Sequence, residues 1–123
     1  MPSYNHMVAG TPQRTKKADR LFFALSDATR RDIVTQALDR ERSVSELGRL
    51  YPISLTAVQK HIAVLERATL VTKERRGREQ IVHANGRTIA KARALLDQYE
   101  ALWIHRAKRI ADVLATADEG EQP

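Results

Sequence analysis

Ser54-Leu55-Thr56-Ala57-Val58-Gln59-Lys60-His61-Ile62-Ala63-Val64-Leu65-Glu66 is the stretch that decides the architecture. Val58, Ile62 and Leu65 recur at steps of four and three, one face of an α-helix, which leaves Thr56, Gln59, Lys60 and Ala63 facing out. Ser54 stands where its hydroxyl can accept an orphan amide of the first turn. Just upstream, Ser43-Val44-Ser45-Glu46-Leu47 opens a shorter helix. Either Ser43 and Glu46 form a capping box, or Val44 belongs to a short strand and Ser45 is the cap. Leu47 and Leu50 share a face, and the helix stops at Tyr51-Pro52, because proline disfavours helix in the residue before it. A short helix, a tight break and a second helix with a polar outer face make a helix-turn-helix.

Working outward, Ala18, Leu21, Phe22 and Leu25 have helical spacing from Lys16 onward, and Ser26-Asp27 supplies the cap of a following helix through Ile33, Val34, Ala37 and Leu38. Residues 1–15, with two prolines and no apolar period, read as a flexible tail. After the second helix of the motif, Leu70 to Arg76 and Glu79 to His83 are β-prone runs joined at Arg76-Gly77-Arg78, a glycine-bearing hairpin tip. Asn85-Gly86 breaks the chain. Residues 88–116 then form one long helix on which Ile89, Ala92, Leu96, Tyr99, Trp103, Ile110 and Val113 step by three and four. The expected fold is mostly α with a two-stranded β wing. One domain spans 16–117, and an acidic tail spans 118–123.

The chain has 123 residues, enough to bury a core without staples, and no cysteine, which removes disulfides, thiolate metal sites and thiol catalysis. Absence of cysteine fits a cytoplasmic protein. No apolar run approaches membrane-spanning length, and the first twenty residues lack a signal-type apolar core. Lys and Arg number 21 against 15 Asp and Glu, net +6. Residues 54–87 hold the densest excess, seven basic against three acidic side chains. That local field suits a polyanion. No helix pairs a basic face with an exposed aromatic one, so nucleic acid is favoured over a membrane surface.

Ala24-Leu25-Ser26-Asp27-Ala28-Thr29-Arg30-Arg31-Asp32-Ile33-Val34, then Ser43 to Leu47, Ser54 to Glu66, and Leu70-Val71 with Arg75-Arg76-Gly77-Arg78, resemble the ArsR family of small bacterial winged-helix repressors, in register over residues 20–86. The resemblance implies a winged helix-turn-helix that dimerises through its long terminal helix. Two positions depart from the family pattern. Val44 and Ser45 stand where its metal sensors carry paired cysteines. Thr69 stands where a glycine is usual, so either a β-branched residue adopts left-handed dihedrals at about 1–2 kcal/mol or the helix end is built differently.

Candidate DNA contacts are Ser54, Thr56, Ala57, Gln59, Lys60 and His61 on the second helix, the part of such motifs that reaches base edges, and Arg75, Arg76 and Arg78 on the wing. Leu96, Tyr99, Trp103 and Ile110 are candidates for a dimer seam, with core or a ligand-pocket wall as the other readings of the aromatic residues. Asp97 and His105 are the one Asp–His pair comparable to the family's zinc sites. They lie two turns apart, too far for a tetrahedral site within one chain, so no metal or other cofactor is expected. The serines sit where caps belong and no carboxylate pair has an apolar setting, so no enzyme activity is expected. These residues together point to a homodimeric, sequence-specific repressor on a two-fold operator in double-stranded DNA. The alternative is a winged-helix module for protein or RNA without duplex specificity.

Overall fold

The structure is a computed structural model that describes residues 12–121, with side chains from 16 to 118. Its elements are α1 (Pro12–Leu25), α2 (Ala28–Asp39), β1 (Arg42–Ser43), α3 (Val44–Gly48), α4 (Leu55–Arg67), β2 (Val71–Arg76), β3 (Glu79–Ala84) and α5 (Gly86–Glu121). Helix α1 begins at Pro12, four residues before the expected start, so residues 12–15 of the anticipated tail are helical. Proline is compatible with a first helical turn, where its missing amide would be unpaired in any case. The acidic 118–121 segment likewise continues α5. Residues 1–11 and 122–123 of the two expected tails lie outside the described residues. Within the span expected as one domain, the chain divides after Ile89 into two units.

The first unit has one core. Ile33, Leu47, Val58, Ile62, Leu65, Leu70, Val71 and Val82 are almost fully buried, and the five on helices, Ile33 to Leu65, fall on the inward faces that helical periodicity assigns. Asp27 caps α2 by accepting from the Arg30 amide at 3.0 Å, and that bond holds its carboxyl below the ordinary range. Ser43 and Glu46 close a full capping box, so the first of the two readings of that segment is the one realised. Ser43 also ends β1, which pairs with β3 through Arg42↔Val82 and Ser43↔Ile81. The two-stranded wing of β2 and β3 therefore carries a third, two-residue strand, in the order β1-β3-β2.

The end of α1 is closed by side chains from the start of α2. The Arg30 guanidinium is buried; its Nε donates to the Ala24 carbonyl at 2.8 Å and its Nη2 to the Phe23 carbonyl at 3.0 Å. It also lies over the Phe23 ring, 5.1 Å from the centroid. Arg31 donates to the Leu25 carbonyl at 2.8 Å. The Ala24 and Leu25 carbonyls at the helix end are thus paired from the next helix. The Phe23 carbonyl, which already accepts from the Ser26 amide at 3.1 Å and hydroxyl at 2.6 Å, gains a further donor.

Helix α4 ends in a Schellman motif: the Thr69 amide donates to Glu66 and the Leu70 amide to Leu65, both at 3.0 Å. Thr69 does adopt the left-handed conformation, with φ 57°. Its hydroxyl lies 2.7 Å from the Ala68 carbonyl and 3.0 Å from the Thr88 hydroxyl. Comparing Thr69→Gly with Thr69→Ala isolates the strain, since both lose the hydroxyl. The glycine variant is expected to be the more stable by about 1 kcal/mol, the reverse of their usual order in a helix. Equal thermal midpoints for the two would remove the strain.

Glycine is favoured at two positions for different reasons. Gly77 at the hairpin tip has φ +65°, with open space around it. At Gly48, the last residue of α3, a Cβ would lie 2.8 Å from Leu55 Cδ1.

Residues 90–121 of the second unit are one continuous helix. Leu96, Tyr99, Leu102, Trp103, Ile104, Ile110, Val113 and Leu114 are each half to two-thirds exposed.

Candidate nucleic-acid interface

Helix α4 presents its outer face because Val58, Ile62 and Leu65 fix the inner one. The Ser54 hydroxyl accepts from the Ala57 amide at 3.1 Å, so this candidate contact is also the helix cap. Thr56, Gln59 and Lys60 are exposed and Ala57 is half-buried. These residues lie in the first two turns, as their spacing predicts.

His61 is a correction. It lies next to the buried stripe and turns toward the junction of α1 and α2 rather than outward. Its Nδ1 is 3.3 Å from Arg30 Nη1 and 3.9 Å from Asp27 Oδ2, with the side chain 23% exposed. A guanidinium can only donate, so Nδ1 is the acceptor in this contact. The residue ties α4 to the helix pair behind it and does not belong to the outward set.

The hairpin register divides the wing charges between two faces. Lys73 pairs with Val82, Arg75 with Gln80, Glu74 with Ile81 and Arg76 with Glu79. Alternation then puts Lys73, Arg75 and Gln80 on one face and Glu74, Arg76 and His83 on the other. On the second face Arg76 is held at both ends: Nη1 donates to Glu41 at 2.9 Å and Nη2 to Glu74 at 2.8 Å. His83 Nε2 is a further 2.8 Å from the same Glu74 oxygen. The contact with His83, then that with Arg76, holds the Glu74 carboxyl below its ordinary range, and the Arg76 bond does the same for Glu41. Arg76 is accordingly a strap between the wing and the end of α2. That departs from its expected place beside Arg75 and Arg78, which form no ion pair among the described residues. Charge runs do not reveal such a division; the pairing register does, once Gly77 is taken as the tip.

Lys73 and Gln80, which carry no distinguishing signal in the sequence, flank the same side of the wing as Arg75. Lys73 Nζ is 3.4 Å from Glu66 on α4. At the base of the motif the Tyr51 hydroxyl donates to Asp32 at 2.6 Å, and burial, then that carboxylate, pushes the phenol's pKa up. Among the described residues no group of three or more His, Asp or Glu side chains could hold a metal ion. No helix there is long and apolar enough to cross a membrane.

Known proteins share this arrangement. A helix-turn-helix domain family model matches residues 25–74. The HTH-type transcriptional regulator Rv2034 of Mycobacterium tuberculosis is 34% identical over 84 residues, covering 68% of this chain and 78% of that protein. An ArsR-like transcriptional regulator from Rhodococcus sp. RHA1 superposes with a TM-score of 0.72 at 31% identity, over 81% of this chain and 94% of that one. The chain belongs to the ArsR family. This class consists of transcriptional regulators, not enzymes. A homodimeric winged helix-turn-helix DNA-binding domain from Mycobacterium bovis, a possible ArsR-family regulator, shares the fold at 21% identity. Its TM-score is 0.61, over 78% of this chain and 89% of that fragment. Within the ArsR family this chain has a threonine as its left-handed helix stop, at Thr69.

Proposed function

We propose that this ArsR-family protein is a cytoplasmic, homodimeric repressor that binds a two-fold operator in double-stranded DNA. One observation carries the reading. Thr56, Gln59 and Lys60 stand exposed on a capped helix beside a hairpin whose arginines Arg75 and Arg78, which form no ion pair among the described residues, flank the tip. A helix of that size enters a major groove, and its amide side chain can read adenine through two hydrogen bonds. The hairpin guanidiniums suit backbone or minor-groove contact. Residues 16–117 supply both functions, DNA contact from the first unit and dimerisation from α5. The exposed seam of Leu96, Tyr99, Trp103 and Ile110 supports the second, as does the homodimer from M. bovis.

The two kinds of contact separate in a titration of duplex binding against salt. Gln59→Ala is expected to lose about 1–3 kcal/mol of discrimination at one base pair per half-site and to keep the salt slope. Arg75→Ala and Arg78→Ala are expected to weaken selected and random duplexes alike and to lower the slope by about 0.9 for each phosphate that is no longer neutralised. The substrate is a duplex selected from a random pool, beside an unselected duplex of the same length. Equal affinity of the wild type for both would favour an interaction module without duplex specificity.

A further inference from the structure

A cleft of about 270 Å³ lies between the start of α4 and the β2–β3 hairpin. Val44 and Leu55 supply its apolar lining, and Ser45, Gln59, Lys73, Arg78 and Gln80 bring five donor groups against the single carboxylate of Glu79. We propose that this cleft seats one backbone phosphate of the duplex, with Lys73 and Gln80 as the residues that hold it; the inference rests on the DNA-binding reading above.

Three observations carry it. First, one wall includes Gln59 on the helix assigned to the major groove, and the other belongs to the hairpin. A duplex backbone separates its two grooves, so a protein with an element on each side must accept that backbone between them. Second, a phosphodiester offers only acceptor oxygens, and the cleft offers mainly donors: an ammonium, a guanidinium, two amides and a hydroxyl. The volume falls below the roughly 300 Å³ at which pockets for small organic ligands begin. Third, the cation is available. Lys73 is paired with Glu66 at 3.4 Å, with side chains 31% and 42% exposed, and an exposed pair of this kind contributes little. Lys73 can therefore exchange the carboxylate for a phosphate while remaining in the lining of the cleft. Arg78 adds charge from the hairpin tip, and Arg76 is committed to the opposite face.

Lys73→Gln is expected to lower the salt slope on a random 30-base-pair duplex by about 0.9 and to leave the preference for a selected duplex unchanged, the mark of one phosphate left without its cation. Glu66→Gln removes the same ion pair but keeps the cation, so its slope should match the wild type. A scan of single methylphosphonate substitutions along the selected duplex should then find one position that weakens the wild type several-fold and leaves Lys73→Gln unaffected. An unchanged slope for Lys73→Gln, with Arg75→Ala and Arg78→Ala lowering theirs, overturns the phosphate seat and leaves the DNA-binding reading standing. A slope reduced equally in Lys73→Gln and Glu66→Gln overturns it too, since the ion pair would then be structural. Failure of the wild type to bind any duplex overturns both.

Discussion

Replacing Arg30 with alanine is expected to destabilise the protein by about 3 kcal/mol, a large part of the roughly 5–15 kcal/mol that holds a typical domain together. The guanidinium is nearly buried and makes two short bonds to the Phe23 and Ala24 carbonyls, a third contact to His61, and a stack on Phe23. A bond from a charged donor to a main-chain carbonyl is worth about 1.5–3 kcal/mol when its removal strands the acceptor, as at Ala24, whereas the Phe23 carbonyl keeps the Ser26 amide and hydroxyl. Not all of that is forfeited, because the exposed end of α1 admits water. Lysine keeps the charge but offers one compact head in place of a planar fork, so Arg30→Lys should recover less than half of the loss. Thermal melting followed by circular dichroism measures both. A loss under about 1 kcal/mol for the alanine variant would show that the carbonyls find other partners.

The second large effect concerns α5. Leu96→Ala combined with Trp103→Ala is expected to weaken self-association at least a thousandfold while the first unit stays folded. Leu96, Tyr99, Trp103, Ile110 and Val113 follow the three-four alternation of a two-helix seam, and Trp103 is 63% exposed on the single chain. A surface of that size and apolarity is unusual on a protein with no partner. Buried anchors of this kind contribute about 2 kcal/mol or more each, and a two-fold seam contains every substitution twice. Sedimentation equilibrium gives the association constants, and far-ultraviolet circular dichroism confirms that the helices persist. Wild-type protein that sediments as a monomer at ten times micromolar concentration would overturn the seam.

How much of this was legible beforehand depends on the kind of interaction. Val58, Ile62 and Leu65 announce α4 because a helix repeats every 3.6 residues, and Ser54, Asp27 and Ser43 announce caps because their partners lie three residues away. The hairpin was equally local, with Gly77 at its tip. The rest depended on partners far along the chain. Arg76 meets Glu41 across 35 positions, and His61 meets Arg30 across 31. A charged side chain has the same local signature whether it ends on a carboxylate, a carbonyl or a phosphate. Strand β1 falls at Arg42–Ser43 rather than on Val44 for a related reason: two residues have no period, and only the edge of β3 makes them a strand. The start of α1 at Pro12 is not legible because the composition of residues 1–15 points to a tail, whereas the proline occupies a permissive first-turn position.

The two turn glycines leave different room for change over generations of substitution. At position 77 nothing crowds the tip, so the filter is handedness: asparagine and aspartate, which tolerate left-handed dihedrals, can enter whatever their bulk, while valine and isoleucine cannot. At position 48 the backbone is ordinary and the filter is size: alanine needs only a small swing of the half-exposed Leu55 side chain, whereas longer residues must displace it. The wing tip can thus vary its chemistry without moving its neighbours, and the joint behind the reading helix can vary only together with Leu55. Under the proposed DNA-binding role, diversity in duplex contact is therefore cheaper to explore at the hairpin than at the hinge of the motif.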